Sequence, residues 1–386
     1  MGRSSREVAD VRILQVVQKP QRRGAEVFAL QLSRELRSAG HDVRTAYLYP
    51  HEGENALPLA EGDTVLGGRE HHRFEKLPGI DPLLLWRLRR VIDETRPDVV
   101  QVNGGRTVKY GAAAASLRRR RSWVLIYRNI GHPRDWMHGW RHTVYSRLVM
   151  PRLDGVVGVS DTTLHAVEDL YRLSVPTTRI PRAVDSEGFV PTIAREVIRR
   201  QSETPLTAPV IVWVGSLTSE KRVDRLFRVA EVVKRTVPDL HVWIVGEGPL
   251  RRTLDVQLRA SSLAPSVRFL GVQNEVANYM SAGDVVALTS DTEGMPGVLL
   301  EAGLLSLPVV ATRVGGVSEC VLDGETGILV DRNDEGGLAS ALRDLLLQPE
   351  RRRQLGRAAR PWIEHNFTMS RVAEQYAAFY RRALMA

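Results

Sequence analysis

From end to end the chain alternates short β-branched apolar runs with stretches whose apolar residues recur every three or four positions, the signature of parallel α/β architecture. In the first half, residues 12–18 read as a strand and 19–24 as a loop. Residues 25–39 read as a helix that sets Ala25, Phe28, Leu32, Leu36 and Ala39 on one face and stops at Gly40. A strand follows over 42–48. Asp81-Pro82 gives an N-cap and first-turn signal for a helix ending near Thr95, and further strands are expected at 98–103, 123–128 and 155–159. Residues 50–75, which include His71-His72, carry no assignable period.

The proline-rich stretch 181–209, with Pro191, Pro205 and Pro209, reads as the connection between two halves and encloses a short helix near 193–201. A second series then begins, with strands at 210–214, 241–245, 267–269, 284–288, 308–312 and 327–330. Helices are expected between them at 223–236, 249–263 and 297–306, and three more close the chain around 335–347, 350–365 and 370–384. Two such sheets imply a cleft between them, with ligands bound outside the carboxyl ends of the strands.

Composition narrows the class. At 386 residues, 43% apolar and 26% charged, the chain is globular and long enough for two ordinary domains. No apolar run approaches a membrane span, and Met1-Gly2-Arg3-Ser4-Ser5-Arg6 leads into a strand pattern without a signal-peptide core, so a cytoplasmic protein is expected. A lone Cys320 excludes an internal disulfide and a multi-Cys metal site, and reads as a small buried hydrophobe. The net charge of +9 calls for an anionic partner. Lys occurs five times among the 54 basic residues, so the excess is Arg, a skew that base composition of the source also produces. Arg118 to Arg121, before Trp123, is the densest run; it is either a solvated helix end or a contact for anionic lipid headgroups or a phosphorylated acceptor. Nucleic acid is set aside, because no aromatic-interleaved basic platform or zinc-finger spacing accompanies it.

The candidate chemistry lies mostly in the second half. Glu293 falls in the loop after a predicted strand, followed by Gly294, Met295, Pro296 and Gly297, and Glu301 falls one turn inside the next helix. Small residues there let backbone N–H groups and the helix N-terminus meet an anion, while two carboxylates hold hydroxyls at either end of it. The bland alternative is a polar loop and one exposed helix Glu. A second constellation, Gly215 to Asp224, places Lys221 and Arg222 at a helix start, where cations oppose the helix dipole unless they face a ligand's diphosphate. The alternative is an ion pair with Glu220 or Asp224. Gly246-Glu247-Gly248-Pro249 also turns from strand to helix but lacks the third glycine of a dinucleotide fingerprint. Near the N-terminus, Gly24 sits between the first strand and first helix and either admits a ligand or makes a plain turn.

With these motifs together, the chain resembles the retaining, GT-B-fold glycosyltransferases of family 4 over nearly its whole length. The resemblance rests on Glu293 and Glu301, on Gly215 to Asp224, Val245 to Pro249, Val314 to Glu319 and Asp323 to Val330, and more loosely on Arg23 to Glu26 and Ala39 to Val43. It implies two Rossmann-like parallel-sheet domains facing across a cleft: an acceptor-side domain over 1–188, a nucleotide-sugar domain over 189–368, and a last helix, 369–386, returning to the first. It implies that Glu293 binds the transferred sugar, with Gly294, Met295 and Pro296 lending backbone donors. Glu301 would hold the ribose, Lys221 the diphosphate, and 269–271, ending at Gly271, would flank the base. Ser216, Arg222, Gly24 and Gly246 complete the expected donor contacts. No metal or other cofactor is implied, which matches the lack of an Asp-x-Asp triplet.

This sequence also departs from the family. Ser216 stands where relatives often carry Arg, Asn103 and the Arg128 segment stand where histidines are frequent, and Asp185 lacks the common Asn-Gly before it. Arg128 is the favoured replacement near the reacting sugar, with His132 as the other candidate. The expected activity is retaining, metal-independent front-face transfer, aided by domain closure, from a nucleotide-diphosphate sugar to a hydroxyl acceptor. That acceptor is a glycolipid, glycan or small metabolite, and peripheral membrane contact through the basic first half accompanies the lipid case. The alternatives are an epimerase or phosphorylase on the same fold, or a weakly catalytic nucleotide-sugar-binding subunit of a glycan-assembly complex.

Overall fold

The computed structural model describes residues 10–53, 55–68, 79–117, 121–133 and 139–386. They divide into two compact units, Met1–Arg182 with Met369–Ala386, and Ala183–Thr368. Each is built on one wholly parallel sheet.

The first sheet contains β1 (Arg12–Val17), β2 (Asp42–Tyr47), β3 (Thr64–Val65), β4 (Val99–Asn103), β5 (Val124–Asn129), β6 (Gly155–Gly158) and β7 (Thr177–Arg179), in the order β3-β2-β1-β4-β5-β6-β7. Among its described residues, the 50–75 stretch that lacked a period contributes the two-residue strand β3, too short to show alternation. The helix signal at Asp81 is realised: its carboxylate accepts from Leu83 N at 2.8 Å and opens the helix Pro82–Thr95. The helices Gly105–Ser116 and Asp161–Tyr171 went unread from sequence, the first because its run of alanines leaves the apolar face indistinct. The last helix, Met369–Met385, packs against Gly24–Ser38, with Tyr376 tilted against Phe28 at 6.1 Å between ring centres. His71-His72 and Arg118 to Arg120 lie outside the described residues. Arg121 itself pairs with Asp154 at 2.6 Å.

The second sheet contains β8 (Val210–Val214), β9 (His241–Val245), β10 (Val267–Gly271), β11 (Val285–Leu288), β12 (Val309–Thr312) and β13 (Ile328–Val330), in the order β10-β9-β8-β11-β12-β13. Strands buried on both faces read as continuous apolar runs, and Val210–Val214 and Val285–Leu288 are of that kind. Arg199 is buried beneath this sheet, but its guanidinium meets the carbonyls of Ala282, Leu206 and Ala208 and the Asp284 carboxylate at 2.7–3.0 Å. Asp284 also accepts from Val210 N at 2.9 Å, so this buried pair ties the Arg195–Gln201 helix to the starts of β8 and β11.

Candidate active site

β8 and β11 are hydrogen-bonded neighbours, yet the chain leaves β8 toward β9 and β10 and leaves β11 toward β12 and β13. The loops at their carboxyl ends therefore diverge, which opens the crevice where doubly wound sheets bind ligands. Residues 215–221 form one loop and 289–296 the other.

The first loop is shaped by a single strained residue. A 3-10 turn over Ser219–Lys221 ends at Arg222, whose φ of 50° is left-handed, and the chain then enters the helix Val223–Lys234. Across the switch point Lys221 Nζ donates to Glu293 Oε1 at 2.7 Å, and Ser290 Oγ donates to the same oxygen at 2.6 Å. The Glu293 side chain is 7% exposed and that of Lys221 25%. A carboxylate and an ammonium thus face one another at the crevice.

Arg222 does not extend this cluster of charge outward. Its Nε lies 3.0 Å from Asp224 Oδ1 and its Nη1 2.9 Å from Asp291 Oδ2, and Asp291 is shared with Arg225 at 2.7 Å. Arg225 is buried and also donates to the Thr289 carbonyl at 2.7 Å, while Thr289 Oγ1 reaches the Lys221 and Arg222 carbonyls at 3.1 Å. These contacts clamp the two loops together. Burial opposes ionisation of Asp224, but hydrogen bonds from Arg222 and Arg228 outweigh it and bring its carboxyl down to about 2. Asp291 is lowered in the same way, with Arg222 and Arg225 overcoming its desolvation. The sequence signalled Arg222 and Asp224 but not the Asp291–Arg225 contact, because those partners are distant in the chain.

Two glycines are required by close approach. A Cβ on Gly246, at φ 133°, would overlap the Gly215 carbonyl, and one on Gly315, at φ 50°, would overlap the Glu293 carbonyl. Gly316 N donates to the Gly294 carbonyl at 3.1 Å, so the Val314–Glu319 motif is the floor on which the Glu293 loop lies. Gly246 N donates to the carbonyl of Gly271 at 2.7 Å, which brings the ends of β9 and β10 beside β8. Pro296 precedes the helix Gly297–Leu304 with no side chain capping its first turn, Met295 is buried, and Glu301 lies half-buried in the next turn. Ser216 is exposed on the first loop. Among the described residues no group of three or more His, Cys, Asp and Glu side chains is placed to hold a metal ion.

Lys221, Ser216, Gly246, Gly271, Glu293 to Pro296 and Glu301 are thus gathered along the carboxyl ends of β8 to β11. Gly24 and Arg128 belong to the other unit. Gly24 opens the helix Gly24–Ser38, where an added Cβ would meet only the tip of the Arg182 side chain. Arg128 is 1% exposed on β5, its guanidinium 3.9 Å from the centre of the Phe28 ring, with no hydrogen-bond partner for Nε or Nη1. Desolvation lowers its pKa, with the Tyr376 hydroxyl acting against that shift. Asn103 donates to Gln15 at 2.8 Å, within a buried polar cluster that includes Gln101 and the Tyr380 hydroxyl.

Two family models match the chain, "Glycosyl transferases group 1" over residues 194–362 and "Glycosyltransferase Family 4" over 22–187. The GDP-mannose-dependent alpha-(1-6)-phosphatidylinositol monomannoside mannosyltransferase of Mycolicibacterium smegmatis is 30% identical over 300 residues, 74% of this chain and 77% of that protein. The D-inositol 3-phosphate glycosyltransferase of Corynebacterium diphtheriae is 38% identical over 212 residues, 52% of this chain and 49% of its own. Among solved structures, Anabaena HepE in complex with UDP and glucose superposes with a TM-score of 0.79 at 20% identity, covering 96% of this chain and 100% of its own. Sucrose-phosphate synthase from Thermosynechococcus elongatus gives 0.79 at 22% identity, covering 96% and 98%. At such identities the structural likeness speaks for the fold, which is GT-B.

Proposed function

The chain belongs to the family 4 glycosyltransferases, and from that premise we propose that its Ala183–Thr368 unit binds a nucleotide-diphosphate sugar at the Lys221–Glu293 pair and that the enzyme transfers the sugar with retention to a hydroxyl acceptor. The observation that carries this reading is the 2.7 Å contact of Lys221 with Glu293 at the switch point, beside an uncapped helix start. Donor binding exchanges partners: Glu293 turns to sugar hydroxyls, Lys221 to the diphosphate, and Glu301 to the ribose. As the sugar–phosphate bond breaks, charge grows on the departing phosphate oxygen. Lys221 and the N–H groups at the start of Gly297–Leu304 stabilise it, so the chain's own groups supply the positive charge.

A retaining double displacement needs a nucleophilic carboxylate about 5 Å from its acid partner. In this reading Glu293 and Glu301 are both assigned to donor hydroxyls, which favours front-face transfer, the leaving phosphate accepting the acceptor's proton. The acceptor falls to the other unit. Relatives named for phosphatidylinositol monomannoside and inositol 3-phosphate favour an anionic, phosphate-bearing acceptor, and the net charge of +9 suits it. GDP-mannose is accordingly the first donor to try.

The test starts from a panel of UDP, GDP, ADP and TDP sugars, taking the one that raises the melting temperature and following transfer with it. Lys221→Ala and Glu293→Ala should each lower kcat/KM by on the order of 10²-fold or more, and the product's anomeric coupling should match the donor's. Rates within a few-fold of wild type would remove both residues from the mechanism.

A further inference from the structure

Arg222 holds a backbone shape that a side chain disfavours. Among the described residues, Arg96, Arg172, Glu203, Arg222 and Ser306 are the non-glycine positions with left-handed φ. Arg96, Arg172, Glu203 and Ser306 lie just past the ends of helices, where that conformation is common. Arg222, at φ 50° and ψ 50°, instead opens the helix Val223–Lys234. The residue before a helix is ordinarily extended, and a Cβ makes the left-handed shape unfavourable, so the shape has to be held from outside.

Asp291, on the opposite loop, is placed to hold it. Its carboxylate accepts from Arg222 Nη1 at 2.9 Å and from Arg225 Nη2 at 2.7 Å, and Arg225 is itself buried and fixed to the Thr289 carbonyl. The Asp291 N–H donates to the Glu220 carbonyl at 2.8 Å. Lys221 therefore stands between two residues fastened to the same aspartate, and the Thr289 hydroxyl reaches the carbonyls of Lys221 and Arg222 at 3.1 Å. Asp224 also accepts from Arg222, at 3.0 Å, but it belongs to the same stretch of chain and makes no tie to the Glu293 loop through that bond. We propose that Asp291 is a positioning residue: by holding Arg222 left-handed and Glu220 in place, it keeps the Lys221 ammonium at the ends of β8 and β11 when a donor draws it away from Glu293. The inference rests on the proposed role of Lys221 at the diphosphate, and Asp291 itself touches no substrate in it. Glycine adopts the left-handed shape without being held, so the need for the Asp291 carboxylate should disappear in an Arg222→Gly chain.

The test is calorimetric titration of the full chain with GDP, UDP, ADP and TDP, following the one that binds most tightly. Losing a charged contact to phosphate lowers affinity by about tenfold or more, and Lys221→Ala should weaken binding by that much. Asp291→Asn and Arg222→Ala should each weaken it by about fivefold, since a displaced ammonium loses part of the same contact. Arg222→Gly removes the same charge as Arg222→Ala yet should bind several-fold more tightly than Arg222→Ala does. Added to Arg222→Gly, Asp291→Asn should weaken binding by less than about twofold, the non-additivity expected of residues that act through one another. Circular dichroism checks that each variant folds, and should Asp291→Asn not fold, the comparison of Arg222→Gly with Arg222→Ala decides alone. Equal losses in Arg222→Gly and Arg222→Ala overturn the proposal and make the guanidinium itself a nucleotide contact. An undiminished effect of Asp291→Asn in the Arg222→Gly chain overturns it too, and both results leave the role of Lys221 standing. If wild type binds none of the four nucleotides, or Lys221→Ala binds as tightly as wild type, the donor reading fails and the proposal fails with it.

Discussion

Arg128 and Arg199 show how differently two buried arginines can be held. Arg199 has a carboxylate and a ring of carbonyls, and is a structural tie. Arg128 has an aromatic ring beneath it and two guanidinium nitrogens, Nε and Nη1, without partners, an arrangement that costs stability unless something else is gained. Sequence reasoning picked out Arg128 by resemblance alone and had no means of seeing Phe28 below it. Asp224 carries part of the pH dependence. Asp224, held at about 2 against an unfolded value near 4, contributes stability that is complete above about pH 4 and is lost as the pH falls toward 2. Because Asp224 is partly exposed, solvent screening makes the effect modest. Asp224→Asn should therefore lower the melting temperature at neutral pH, and the gap from wild type should close as the pH approaches 2. A gap that stays constant over that interval would show that the Arg222 and Arg228 contacts do not hold the carboxylate ionised.

Elements were legible where a local rule dominated. The expected strand at 210–214 and helix at 335–347 match Val210–Val214 and Glu335–Leu347, because apolar period and capping signals both point the same way there. The short helices Val276–Ser281 and Val317–Cys320 were missed, being less than two turns long and too short to display a period. At the site, Lys221, Glu293 and Glu301 were visible as motifs. The clamp of Asp291, Arg225 and Thr289 was not, because it is formed between elements some 65 residues apart. Gly315 was quoted only as part of a motif, yet it decides where Glu293 lies. Gly315→Ala places a side chain at φ 50° against the Glu293 carbonyl and should cost about 1–3 kcal/mol. The Glu293 loop must shift to accommodate it, so kcat should fall by more than KM rises. Unchanged stability and unchanged kinetics together would mean that the loop does not rest on Gly315.

At the scale of the whole molecule, each unit is built on one parallel sheet, and the loops proposed to bind the donor belong to the second. The order of strands in each sheet places a switch point at β1 and β4 and another at β8 and β11. Every polar group argued to act on the donor sits at the second. Lys221 and Glu293 hold one another across loops that Arg225, Asp291 and Thr289 clamp together, and the proposed donor would separate that pair. A crystal structure of the protein with its nucleotide-diphosphate sugar examines this directly. Lys221 Nζ should have left Glu293 and lie within hydrogen-bond distance of the diphosphate, with Glu293 on the sugar and Glu301 on the ribose. A donor bound away from the ends of β8 and β11, with the 2.7 Å Lys221–Glu293 contact intact, would contradict it.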